Sequence, residues 1–278
     1  MLITKFIIRP FDFIVMTYHS HFKEKYGPWA LVAGASEGLG AAFAEELAHL
    51  GVNLILLARR FDKLTELSEN LKAKYGIEVV IQSVDLADFE ATKTFVNGLD
   101  LEIGLLVYNA AFAPIDYFKD VADYELDTLV SVNIRTPLLL TKLLSSKMLA
   151  NKRGGIVIMS SLAGFQGSPK IASYAASKAF LRVLAEGLWS ELKPKGIDVI
   201  GCCAGAIITP GYENAQSGNA PGTLRAHQVA HQALYALGKG PTTTPGFINK
   251  LARFFMESLF PKKWSISIMK KNTQNLSR

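Results

Sequence analysis

The chain has 278 residues, 49% of them hydrophobic, which is enough for one large core and too apolar for a disordered chain. Residues 250–278 hold seven Lys and Arg against one acid, Glu257, and so account for the whole net charge of +6; a neutral body with a basic tail excludes a general nucleic-acid binder. The two cysteines, Cys202 and Cys203, are adjacent in an apolar run, which disfavours a disulfide and predicts a reduced, cytoplasmic protein.

Residues 1–27 read as an N-terminal extension. Lys5, Arg9, Pro10 and Asp12 interrupt its apolar start, so neither a spanning helix nor a secretory signal is expected. A packed segment or an interfacial anchor is. Residues 28–246 read as one domain. Short hydrophobic strands are predicted at Ala30–Ala33, Asn53–Ala58, Glu78–Ser83, Gly104–Asn109, Gly155–Ser160 and Asp198–Cys203. Helical patterns lie between them at Leu39–Leu50, Asp62–Tyr75, Asp88–Asn97, Tyr124–Leu149 and Tyr174–Lys193. Strands alternating with helices predict an α/β fold of the Rossmann type, a doubly wound parallel sheet with helices on both faces.

After the first strand comes A-G-A-S-E-G-L-G, residues 33–40. Gly34, Gly38 and Gly40 permit a tight turn, and the amides around Ser36 and Leu39 are expected to face a pyrophosphate. The second strand ends in Arg59 and Arg60, where dinucleotide folds often carry an acid for the ribose. A guanidinium suits a 2′-phosphate, so NADP(H) is favoured over NAD(H). Asp85 and Leu86, past the third strand, and Asn109 and Ala110, past the fourth, complete the adenosine side; Asp85 has a second reading as a helix cap.

Asn133 interrupts a helical pattern, and its side chain is a candidate holder of a water leading to Lys178. Ser161 closes the fifth strand; alternation lets only Ser161 or its neighbour Ser160 face a ligand. Tyr174 and Lys178 are one helical turn apart. A tyrosine with a pKa of about 10 is a poor base at neutral pH. The ammonium is expected to lower that value and fit Tyr174 for proton transfer.

Past the sixth strand stand Gly205, Ile207 and Thr209, then a substrate loop at 210–237 whose polar stretch Gly211–Gly222 is the expected lid. Phe112, Ile115, Tyr117, Phe165 and Ile171 suggest an apolar substrate side. Five histidines make no convincing metal site: His227 and His231 are four apart with no acid or cysteine beside them. Residues 247–278 form a basic amphipathic tail that caps the pocket, meets another subunit, or lies peripherally on an anionic membrane.

These motifs together resemble the short-chain dehydrogenase/reductases. The likeness runs from Trp29 to Thr209, and locally it is similar to the branch of 17β-hydroxysteroid and long-chain 3-ketoacyl reductases. It implies a tetrad of Asn133, Ser161, Tyr174 and Lys178, with Lys178 also on the nicotinamide ribose, Thr209 on the carboxamide, and a homo-oligomer. The implied activity is NADP(H)-dependent hydride exchange with a carbonyl or alcohol carbon of an apolar substrate. The alternative is a catalytically silent dinucleotide sensor or membrane-associated scaffold on the same fold, against which the intact tetrad speaks. Three places depart from the family pattern: Ala33 for threonine, Tyr108 and Ala111 within Y-N-A-A, and Ala204 for proline.

Overall fold

The computed structural model describes residues 10–208, 221–274 and 276. Six strands, β1 (Trp29–Ala33), β2 (Asn53–Ala58), β3 (Val79–Ser83), β4 (Ile103–Tyr108), β5 (Gly154–Ser161) and β6 (Ile197–Ala204), join a short edge strand in one sheet. The edge strand is β9 (Thr242–Thr243); the order β3-β2-β1-β4-β5-β6-β9 is parallel throughout. A separate two-stranded piece pairs β7 (Ile207–Ile208) with β8 (Leu224–Arg225).

Alternation along the strands divides the core. Ala30 and Val32 of β1 join one cluster with α2 (Gly38–His49), α3 (Phe61–Tyr75) and α8 (Ala226–Ala236). Leu31 and Ala33 join the other, with α4 (Phe89–Gly98), α6 (Thr136–Asn151) and α7 (Ala172–Leu192). Both faces are covered, which is why the strands read as unbroken hydrophobic runs. Strand order reverses between β1 and β4, so the cleft at their carboxyl ends is where a ligand belongs.

Three segments differ from expectation. The stretch expected as one helix is α5 (Asp123–Val130), a π-helical turn (Ser131–Arg135) and α6. The turn follows from the partners that Asn133 finds, described below. β9 is too short to show a period. The tail folds as α9 (Phe247–Phe254), a second π-helical turn (Phe255–Leu259) and α10 (Lys262–Thr273).

At the amino ends of the strands lies α1 (Pro10–Tyr26), with Phe22 and Tyr26 buried in the first cluster. The Tyr26 hydroxyl donates to Asp198 Oδ2 at 2.7 Å, and Lys25 pairs with the same carboxylate. Burial, then the bond to Asp198, drives the Tyr26 phenol far above its ordinary range. Among the described residues no helix is long and apolar enough to cross a membrane.

Candidate active site

A cleft of about 740 Å³ opens at the switch point, and the glycine turn forms one end of it. Gly34 has φ +84°, and a Cβ there would sit 2.7 Å from the backbone nitrogen of Ala110. Gly40 stands behind the turn, where a Cβ would meet Asn109 Nδ2 at 2.9 Å. Asn109 Nδ2 donates to the Gly34 carbonyl at 2.9 Å, tying the turn to the end of β4. Glu37, the N-cap of α2, makes no side-chain capping bond, so the first amides of the helix remain available for an anion. Gly34, Ser36, Gly38 and Leu39 line this part of the cleft.

Arg59, Asp85, Leu86, Asn109 and Ala110, the residues expected on the adenosine side, line the same cleft. Arg60 donates to Ser36 Oγ at 3.0 Å and pairs with Glu37 at 2.7 Å. Arg59 is exposed and makes no ion pair among the described residues. Asp85 Oδ1 accepts from the Ala87 amide at 2.9 Å, while Asp88, not Asp85, caps α4 by accepting from the Ala91 amide at 3.0 Å. Leu86 is fixed from behind, because buried Thr136 donates to its carbonyl at 2.7 Å.

At the other end, Ser161, Tyr174 and Lys178 share the cleft wall with Gly205 and Ile207. Ser161 Oγ accepts from the Ala163 amide at 3.1 Å and is hydrogen-bonded to the Tyr174 phenol. Ser160 is turned away and donates to the Lys178 carbonyl at 2.7 Å, so Ser161 is the serine beside Tyr174. Lys178 is buried; its Nζ donates to the Met159 carbonyl at 2.8 Å and lies 5.5 Å from the Tyr174 ring centre.

The electrostatics correct one expectation. Burial raises the Tyr174 phenol above its ordinary value, and the bond to Ser161 draws it back only in part. Lys178 is itself pushed down to about 8 by burial. Desolvation thus outweighs the lowering of Tyr174 expected from the ammonium.

Asn133 is corrected as well. Its Nδ2 donates to the Phe112 carbonyl at 2.8 Å and to Ser177 Oγ at 3.1 Å, and its Oδ1 accepts from the Phe112 amide at 2.8 Å. Both amide hydrogens are engaged, so the side chain clamps the segment after β4 from behind the cleft instead of donating to a relay water. The Tyr108 substitution supports this clamp: its buried hydroxyl donates to the Val132 carbonyl at 2.6 Å, within the turn that carries Asn133. Nothing in the local sequence signals that bond.

On the expected substrate side, Phe112 reaches the cleft wall. Phe165 does not; it is buried between the guanidinium groups of Arg182 and Arg253, 4.8 and 4.7 Å from its ring centre. Ile115 packs with Ile171 and with Met269 and Leu276 of the tail, a cluster that also touches Tyr174. Thr209 and most of the stretch Gly211–Gly222 lie outside the described residues. His231 meets an acid the sequence hides: Glu46 of α2, 2.6 Å from its Nδ1. Among the described residues no three His, Cys, Asp or Glu side chains cluster to hold a metal.

A family profile described as short chain dehydrogenase matches residues 28–220. The chain is 31% identical to a 7beta-hydroxysteroid dehydrogenase of Clostridium sardiniense over 83% of this chain and 90% of that one. It is 38% identical to a very-long-chain 3-oxoacyl-CoA reductase of Podospora anserina over 63% of this chain, spanning 53% of that longer protein. A solved structure from work on 7beta-hydroxysteroid dehydrogenase stereoselectivity superposes with a TM-score of 0.82 at 28% identity, covering 89% of this chain and 98% of its own. A short-chain dehydrogenase from Sphingobium yanoikuyae in complex with NADPH gives 0.74 at 26%, covering 84% and 97%.

Proposed function

Because this chain belongs to the short-chain dehydrogenase family, we propose that it is an NADP(H)-dependent oxidoreductase of apolar carbonyl and alcohol compounds. The observation that carries the reading is the convergence of Ser161, Tyr174 and Lys178 on the same cleft as the glycine turn. When bound, the dinucleotide supplies or accepts the hydride. Gly34 and Gly38 supply the positive φ angles of the tight turn, Gly34 packs directly on Ala110, and the open amides of α2 suit its pyrophosphate. Arg59 suits a 2′-phosphate, having no acid paired with it among the described residues. Lys178 suits the ribose of the nicotinamide half, and Asn109 and Ala110 the adenosine side.

In reduction, hydride adds to the carbonyl carbon and Tyr174 gives its proton to the carbonyl oxygen, which becomes the alcohol. Oxidation reverses both transfers. Ser161 donates to the same oxygen and orients it. A phenol raised by burial holds its proton at neutral pH, which favours the acid role. Ile115 and Ile171 border Tyr174 with apolar surface, in keeping with ketone, 3-ketoacyl, steroid or retinoid-like substrates.

The test is NADPH oxidation against a panel of such carbonyl compounds. Tyr174→Phe is expected to lower kcat by at least about a hundredfold, with NADPH affinity kept within a few-fold. Turnover by the variant at the wild-type rate removes Tyr174 as the proton donor.

A further inference from the structure

Among the described residues sixteen large hydrophobic side chains are exposed, and eight of them fall between Phe247 and Ile268. On α9 they are Phe247, Ile248, Leu251 and Phe254, spaced to share one face, with Phe247 80% exposed. The other face of α9 is occupied: Asn249 is buried and donates to the Gly222 and Pro245 carbonyls at 3.0 and 2.9 Å. On α10, Ser265 and Thr273 are buried and Met269 packs against Ile171 and Ala175, leaving Trp264, Ile266 and Ile268 exposed.

The same segment carries the charge. Lys250, Lys263, Lys270 and Lys271 are exposed, and the one acid, Glu257, is paired with Arg253 at 3.0 Å. A cavity of about 470 Å³ lies between β9 and α9, lined by Lys239, Lys250, Arg253, Thr242 and Thr244, with Glu257, already paired with Arg253, also in its wall. Phe254 of the apolar face borders it.

We propose that the outer face of α9 and α10 docks on an anionic lipid surface. The apolar side chains enter the boundary of the acyl region, the lysines meet headgroups, and the cavity receives a headgroup phosphate. The rival occupant is a second copy of this chain. A two-fold contact would set the patch against itself, opposing two segments of net charge +6 with one acid apiece, and that acid already engaged. Anionic lipid matches both properties of the face at once. The patch also adjoins the cleft: Arg253 stacks on Phe165 4.7 Å from its ring centre, and a Cβ on Gly205 would touch Asn249 Oδ1 at 2.6 Å. Resting on the activity proposed above, docking brings the cleft beside the phase where apolar substrates collect; the docking itself does not depend on that activity.

The experiment is co-sedimentation of the full chain, without substrate or dinucleotide, with phosphatidylcholine vesicles and with vesicles that also contain phosphatidylglycerol. Anionic vesicles are expected to bind at least about tenfold better, less so as salt rises. Phe247→Ser with Leu251→Ser is expected to lose a similar factor while melting at the wild-type temperature. Lys263→Glu with Lys270→Glu, both on exposed positions, supplies an independent loss should the first variant fold poorly. Equal binding to the two vesicle types, no binding, or full binding by both folded variants overturns the proposal. So does a dimer in sedimentation velocity that Phe247→Ser dissociates, which makes a second copy the occupant. Inorganic phosphate that raises the melting temperature while anionic vesicles fail to retain the protein reduces the cavity to a free-phosphate site and overturns it too.

Discussion

Arg59 and Arg60 are neighbours with different tasks. Arg60 is held by Glu37 and Ser36, which fixes it against the glycine turn, whereas Arg59 pairs with no acid among the described residues. Arg59→Ala is therefore expected to lower the ratio of kcat/KM for NADPH over NADH by about tenfold or more. An unchanged ratio removes Arg59 from phosphate recognition. A second prediction follows from Tyr174, whose phenol is raised by burial. Carbonyl reduction needs the protonated phenol and so holds steady as pH rises from about 6 to about 9. Alcohol oxidation needs the phenolate and climbs over the same range, with Lys178 discharging from about 8 upward. Initial rates in both directions across that range check the pair; a reduction rate that falls away near neutrality contradicts it. The sequence shows the spacing of Tyr174 and Lys178 because one helix fixes it. The sign of the phenol shift is not visible there, since it depends on how much protein the fold packs around the ring.

The elements that carry the site differ in how openly the sequence declares them. The glycine turn is local: its conformational demands at Gly34 and Gly38 are met by the residues themselves. The seat of Asn133 is not. Its π-helical turn exists because Phe112 and Ser177, 21 and 44 residues away, take its amide, and Tyr108 holds Val132 beside it. Tyr108→Phe removes a buried bond of 2.6 Å and strands the Val132 carbonyl. It is expected to cost about 1–2 kcal/mol in urea unfolding with the fold retained. A loss near zero means that this hydroxyl does not brace the turn. The Glu46–His231 contact escapes sequence reading for the same reason, since its partners lie 185 residues apart.

Over the whole molecule the two ends of β6 are tied to the two ends of the chain. Asp198, near the start of β6, holds Tyr26 and Lys25 of α1, and Gly205, just past its end, rests on Asn249 of α9. The hydrophobic alternation that places the core is legible in sequence; which segment closes over which end is not, because those contacts cross most of the chain. Phe22, 2% exposed, makes α1 part of the core. Phe22→Ala is expected to cost about 3–5 kcal/mol in denaturant unfolding. NADPH affinity of the protein that remains folded should be unchanged, because α1 lies at the amino ends of the strands, away from the cleft. A stability loss below about 1 kcal/mol would mean that α1 is only loosely held. Trp29 sits at the foot of β1, 7% exposed, whereas Trp264 stands 63% exposed on α10. Of the three tryptophans, Trp264 is the one whose emission colour responds to what wets the outer helix, while Trp29, shielded at the far end, and half-buried Trp189 on α7 supply the steady internal background.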